Sequence, residues 1–210
     1  MIKKGDNLNV IFKKFYRMEQ LLLDNIRSKI ELSPEEEQEI LNRFERQTHK
    51  AKTLLVQPGD DAHFAFFVLK GILRSYIIDR NGVEHILSFA TAGWWVADMY
   101  SYLTMKQANM YVDVTEECDI LMIRKEDVED LYLNIPALER FFRILTENSL
   151  IAHQQRVLDK MALTAEERYE KFVQNYPETV HCLPQKYIAS YIGVTPEFFS
   201  KMKARMLRKK

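Results

Sequence analysis

Glycine and proline are scarce in this chain, six of each among 210 residues, while hydrophobic residues make up 47% and charged ones 29%. Such a composition excludes a collagen-like or disordered polymer and leaves enough apolar side chains for one large core with a smaller partner. No run approaches the roughly 18 uninterrupted apolar residues of a membrane span. The opening Met1-Ile2-Lys3-Lys4-Gly5-Asp6 leads into a charged amphipathic segment, not an apolar signal core, so a cytoplasmic location is expected.

Cysteine is nearly absent. Cys118 and Cys182 stand 64 positions apart with no second Cys or His at ligand spacing, which removes support for zinc fingers and iron–sulfur clusters. Both are expected to be buried or half-buried thiols. His63 and His85 likewise lack partners for a metal or haem site, and no serine, cysteine or histidine constellation points to a nucleophilic enzyme. The expectation is therefore a protein with no catalytic residues, no metal and no resident cofactor. Net charge is zero, but it is unevenly spread: residues 181–210 carry seven basic side chains against Glu197 alone, so that end is +6 and the rest sums to −6. A basic terminal segment on an acidic chain suits contact with an anion, although a solvated basic tail is the simpler alternative.

Periodicity divides the chain into three textures. Residues from about 7 to 47 read as two helices: Phe12, Phe15, Tyr16, Leu22, Leu23, Ile26 and Ile30 recur at helical spacing, and Ser33-Pro34-Glu35-Glu36 is a capping-box start for a helix carrying Ile40, Leu41 and Phe44 inward. From about 51 to 124, β-branched and aromatic runs are cut by turns such as Gln57-Pro58-Gly59-Asp60 and Asn81-Gly82, where both residues tolerate positive φ. Seven or so short strands without crossover helices predict a small barrel or roll. Helices return with Lys125 to Leu131 and a long one from near Pro136 to about Lys160. Leu138, Phe141, Phe142, Ile144, Leu145, Leu150, Ile151, Val157, Leu158 and Met161 make that helix apolar on more than one side, as needed to pack on its own roll and on a second copy; a single buried core helix is the other reading. Thr164-Ala165-Glu166-Glu167 opens a further capped helix through Tyr169, Phe172 and Val173, closed by Asn175-Tyr176-Pro177.

The most informative stretch runs from Leu183 to Met206. Pro184 starts a helix with Ile188, Ala189 and Ile192 inward, Gly193 ends it, and Thr195-Pro196 begins another helix with Val194, Phe199 and Met202 facing the first. A small residue, a glycine four positions on, an apolar residue and a second capped helix make a helix-turn-helix. This segment resembles the helix-turn-helix of the Crp-Fnr family, cyclic-AMP-receptor-like regulators, and especially its shorter-tailed Bacteroidetes-type members. Similarity extends through Phe67 to Arg74, Glu84 to Phe89 and Ile135 to Phe142, and covers roughly residues 35 to 208.

The resemblance implies an α+β chain with a cyclic-nucleotide-binding-type β-roll sensor at 1–135, a dimerisation helix at 136–161 and an all-α DNA-binding domain at 162–210. Its partners would be double-stranded DNA, a second copy of the chain, RNA polymerase and a small-molecule effector. Thr195, Pro196, Glu197, Ser200 and Lys201 would lie on the base-reading side, where a carboxylate accepts from cytosine and a cation donates to guanine. Many relatives have arginine where Lys201 stands, and lysine makes the planar bidentate contact less well. Gln185, Lys186, Lys203 and Arg205 would hold phosphates. Phe198, next to the inward Phe199, either touches a thymine methyl or, the favoured reading, packs on the preceding helix. The chain stops shortly after the second helix, so the wing of longer members is expected to be missing.

The sensor pocket departs from the family pattern. Where cyclic-nucleotide binders carry Gly-Glu-Leu and Arg-Ser/Thr-Ala, this chain has Ala97-Asp98-Met99 and Ala108-Asn109-Met110. Without the arginine a buried phosphate would stay unpaired at a cost of several kcal/mol, which argues against cyclic AMP; Lys106 is no obvious replacement. Trp94, Trp95, Asp98, Met99, Tyr100 and Asn109 could line a pocket for another effector, or the aromatics could simply complete the core. The rival function is a ligand-binding or protein-interaction module whose helix-turn-helix no longer binds DNA specifically.

Overall fold

The computed structural model describes residues 19–208. The expected apolar positions Phe12, Phe15 and Tyr16, and the basic Lys209 and Lys210, lie outside the described residues. Helix α1 covers residues 19–27 and buries Leu22, Leu23 and Ile26. Helix α2 (Pro34–Asn42) has the complete expected capping box: the Glu36 amide donates to Ser33 Oγ at 3.2 Å and the Ser33 amide to the Glu36 carboxylate at 2.7 Å. It stops before Phe44. Residues read as the end of that helix instead form strand β1 (Glu45–His49), because every position from Glu45 to His49 is paired along strand β8 (Cys118–Arg124). Ladder hydrogen bonds outweigh the helical spacing of Phe44.

Six more strands complete the roll: β2 (Leu54–Val56), β3 (Phe64–Lys70), β4 (Leu73–Ile78), β5 (Glu84–Ala90), β6 (Trp95–Val96) and β7 (Tyr111–Val114). A short helix α3 (Met99–Thr104), not anticipated in the sequence, separates β6 from β7. The strands form two antiparallel sheets, ordered β1-β8-β3-β6 and β2-β7-β4-β5. In the β4–β5 hairpin only Gly82 takes positive φ; Asn81 does not, because the Asp79 carboxylate closes the turn by accepting from the Asn81 and Val83 amides. Gly71, at φ 88°, joins β3 to β4 where a Cβ would stand 2.5 Å from the Glu117 carbonyl oxygen, so no larger residue fits without moving backbone.

Side-chain alternation places the chain in layers. Phe66, Val68, Leu73, Val112, Val114 and Ile120 fill the space between the sheets. On the far side of the first sheet, Ala65, Phe67, Leu69, Leu121 and Ile123 pack under α1, α2, helix α4 (Lys125–Asn134) and the start of helix α5 (Ala137–Ala162). On the far side of the second sheet, Ile72, Tyr76, Ile86 and Phe89 form one continuous core with the C-terminal helices α6 (Ala165–Asn175), α7 (Gln185–Ile192) and α8 (Pro196–Arg208).

The expected two apolar sides of helix α5 appear instead as a division along its length. Leu138 and Phe141 are buried against the roll, whereas Leu150, Ile151, Val157, Leu158 and Met161 are exposed, from 49% to 81%. Helix α6 carries the second complete capping box, Thr164 with Glu167. Of the two thiols only Cys118 is buried; Cys182 is exposed, because it lies in the turn-rich approach to α7. Among the described residues no helix is long and apolar enough to cross a membrane and no group of three His, Cys, Asp or Glu could hold a metal ion.

Candidate functional site

Helices α7 and α8 are joined by Gly193 at φ 77° and ψ 42°, the left-handed conformation that lets the chain reverse within three residues. Ile188, Ala189 and Ile192 of α7 meet Phe199 and Met202 of α8 in a fully buried contact, as the sequence pattern requires. Ala189, 0% exposed, is the small residue at the crossing. The Thr195 hydroxyl accepts from the Phe198 amide at 3.2 Å and so caps α8, while the Thr195 carbonyl accepts the first helical bond from Phe199.

Burying Phe199 and Met202 fixes which side of α8 faces outward. Glu197, Ser200, Lys201 and Ala204 follow the i, i+3, i+4, i+7 spacing of one helix face and all are exposed, as are Thr195 and Pro196 at its start. The five residues expected on the base-reading side therefore share one open surface. Phe198 is 46% exposed, so it is not packed away on the preceding helix: its neighbour Phe199 takes the inward slot, at 5.2 Å from the Tyr169 ring. Gln185 and Lys186 are exposed in the first turn of α7, Lys203 is half-buried, and Arg205 is exposed with its guanidinium 3.5 Å from the Glu166 carboxylate.

The residues suggested for an effector pocket are divided. Asp98 is 2% exposed, and its carboxylate is fully engaged by backbone amides: it caps α3 by accepting from Ser101 at 3.0 Å and also accepts from Asn109 at 2.9 Å and Met110 at 3.2 Å. Ser101, itself buried, extends the network by accepting from the Ala62 amide and donating to the Lys106 carbonyl. Trp95 belongs to the core: its ring packs on Phe67, Phe141 and Phe142, and its Nε1 donates to the Asn25 side chain at 3.1 Å. Met99, Tyr100 and Asn109 are at the surface, and Trp94, half-exposed, lies 5.6 Å from the Tyr176 ring. Asp98 and Asn109 are thus brought together, and Trp95 is not turned toward them by any contact.

The sequence model of the cyclic nucleotide-binding domain matches residues 46–134, the roll and α4. The anaerobic regulatory protein of Haemophilus influenzae is 24% identical over 186 residues, covering 83% of this chain and 72% of that one. The fumarate and nitrate reduction regulatory protein of Vibrio cholerae is 25% identical over 162 residues, covering 72% and 64%. The chain carries a cyclic nucleotide-binding-type domain and is similar along most of its length to transcription regulators of the Crp-Fnr type. The fold agrees: the c-di-GMP-responsive global regulator CLP of Xanthomonas campestris superposes with a TM-score of 0.69 at 13% identity, covering 84% of this chain and 93% of that one. The catabolite activator protein of Thermus thermophilus gives 0.54 at 19% identity, covering 85% of both chains.

Two further residues that the sequence pattern did not single out are Arg74 and Ser190. Arg74 is 4% exposed on β4, directly opposite Asp113 on β7, which accepts from its Nε and Nη2 at 2.7 Å. Its Nη1 donates to Glu84, and its guanidinium lies 4.1 Å from both the Tyr76 and the Tyr187 ring centroids. Burial alone would lower its pKa, but the Asp113 and Glu84 hydrogen bonds raise it well above the ordinary value. A cation inside a strand pattern was a usable signal, yet the register that sets Asp113 opposite it cannot be read from spacing.

Proposed function

We propose that this regulator is a dimeric, sequence-specific DNA-binding protein in which α8 enters the major groove, and that the roll responds to a signal other than a cyclic nucleotide. The observation that carries the reading is the outward face of α8: Thr195, Pro196, Glu197, Ser200 and Lys201 are open on one side while Phe199 and Met202 hold the other in the core. Glu197 accepts from a cytosine amino group and Lys201 donates to guanine O6 and N7. Gln185, Lys186, Lys203 and Arg205 flank that face and hold phosphates, which raises affinity without choosing sequence. The exposed apolar residues of α5, from Leu150 to Met161, supply the seam with a second copy, and residues 1–135, 136–161 and 162–210 act as sensor, dimerisation helix and DNA-binding unit. Half-sites then lie about 34 Å apart.

Two features speak against cyclic AMP. Alanine and asparagine at 108 and 109 stand where the resemblance puts arginine and its neighbour, and the amides of Asn109 and Met110 are held by the Asp98 carboxylate. An incoming phosphate would meet a buried carboxylate instead of a cation.

Selection of bound sequences from random duplex DNA at about 150 mM salt, where non-specific phosphate binding is already weakened, tests the reading. Enrichment of an inverted repeat with half-sites one helical turn apart is the expected result. No enrichment, with and without cell extract supplying an effector, favours the interaction-module alternative.

A further inference from the structure

Strand β5 is an edge of the second sheet, so one row of its backbone groups has no strand partner. Helix α7 covers that edge. Ser190 Oγ accepts from the Ile86 amide at 3.0 Å and donates to the Glu84 carbonyl at 2.7 Å, so one hydroxyl does what a neighbouring strand residue would do. Arg156 of α5 donates to the Ile86 carbonyl and, at 3.2 Å, to the Tyr191 carbonyl, with its guanidinium 4.0 Å over the Tyr191 ring. On the outer face of the same sheet Arg74 lies between Tyr76 of β4 and Tyr187 of α7. Ser190 of α7 itself, Arg156 of α5 and Arg74 of β4 therefore tie α7 to the roll.

We infer that Ser190, Arg156 and Arg74 are positioning residues that dock the first helix of the helix-turn-helix onto β5 of the same chain and thereby fix where the reading helix α8 stands. Helix α8 follows α7 as one body, because the Gly193 turn and the buried Ile188, Ala189, Phe199 and Met202 leave no slack between them. The sensor thus sets the pose of α8 through the β4–β5 hairpin, not only through the long helix. The contact also carries a desolvation cost. Arg156 has no carboxylate partner among the described residues, its Nε is buried without a hydrogen bond, and desolvation lowers its pKa. That burial opposes the apolar gain around Phe89, and opening the dock returns the guanidinium to water.

The functional consequence rests on the DNA-binding reading, but the dock is tested without DNA. Spin labels on native Cys182 and on an introduced Arg80→Cys at the hairpin tip, in labelled chains diluted with unlabelled ones, report the distance between roll and helix-turn-helix. A single narrow distribution is expected for the parent, and a broadened or lengthened one for Ser190→Ala combined with Arg156→Ala. Amide exchange at Ile86 should accelerate about five- to tenfold in Ser190→Ala, the loss of one hydrogen bond. Ser190→Thr, which keeps the hydroxyl, should restore protection. An unchanged distribution in the double variant overturns the inference. So does an Ile86 amide that exchanges in the parent chain as fast as a solvent-exposed one, a measurement that needs no variant to fold. Absence of specific DNA binding together with the narrow distance would sink the function reading and support the dock.

Discussion

Lys201 and Lys203 are two positions apart on α8, yet the helix turns them to different surroundings. Lys201 is exposed on the open face with Glu197, whereas Lys203 is half-buried at its flank. Replacing Lys201 or Glu197 by alanine should relax preference at single base pairs by about 1–3 kcal/mol while leaving random-sequence affinity nearly intact. Lys203→Ala should instead weaken all sequences alike and reduce the salt slope by about one. Binding titrations against the selected site and a scrambled duplex across a salt series separate the two, and equal losses on both duplexes for all three variants would refute the division of roles. The thiols differ in the same local way. Burial, with Asp119 and Glu116 nearby, pushes Cys118 up to about 12, so at pH 8 it stays a neutral, enclosed thiol, while Cys182 is open to solvent. A disulfide exchange reagent at pH 8 should titrate one thiol in the native chain and two after denaturation; two fast thiols in the native state would contradict the buried placement.

At the scale of elements, the legible features were those with local chemistry. Both capping boxes, the Gly193 turn and the inward residues of α7 and α8 were readable because each is decided within a few residues. Strand β1 was not, since Glu45-Arg46-Gln47-Thr48-His49 has no apolar alternation and becomes a strand only through its distant partner β8, where Arg46 stands opposite Leu121 and Thr48 opposite Asp119. Strand β6, two residues long, and α3, six residues long, are too short for periodicity to register. Helix α5 shows how a partly legible pattern becomes a test. Leu150 and Val157, and likewise Ile151 and Leu158, stand seven residues apart, so their exposed side chains form one apolar seam two columns wide, each column repeating every seven residues. Leu150→Glu with Leu158→Glu places a carboxylate in each column of that seam, outside the buried cores of the chain. Sedimentation should then change from a dimer to a monomer, with binding to the two-half-site duplex falling to the level of a single half-site. A double variant that sediments as a dimer would place the dimer contact elsewhere.

Across the whole molecule, the least legible fact was which residues share a core. Tyr76, Ile86 and Phe89 read as the roll's own strands, but alternation sends them outward, and their cover is supplied by residues about 80 to 115 positions later. Phe89 sits at the centre, with ring centroids 6.0 Å from Phe172, 5.9 Å from Tyr176 and 5.6 Å from Tyr191. Because that cluster belongs equally to the roll and to the C-terminal helices, the two should unfold together, and calorimetric heating of the parent should give one transition. Phe89→Ala removes the ring that both halves share, at a cost of about 3–5 kcal/mol. The loss falls on the contact between the halves more than within either, since the core between the sheets is filled by Phe66, Val68, Leu73 and Ile120, and α7 still packs on α8. The variant should therefore show two transitions, with the helical signal lost first and with fluorescence from Trp94, which leans on Tyr176, following the earlier one. If Phe89→Ala merely lowers a single transition, the halves are coupled mainly by the α5 connection, and the shared aromatic core contributes stability without transmitting position.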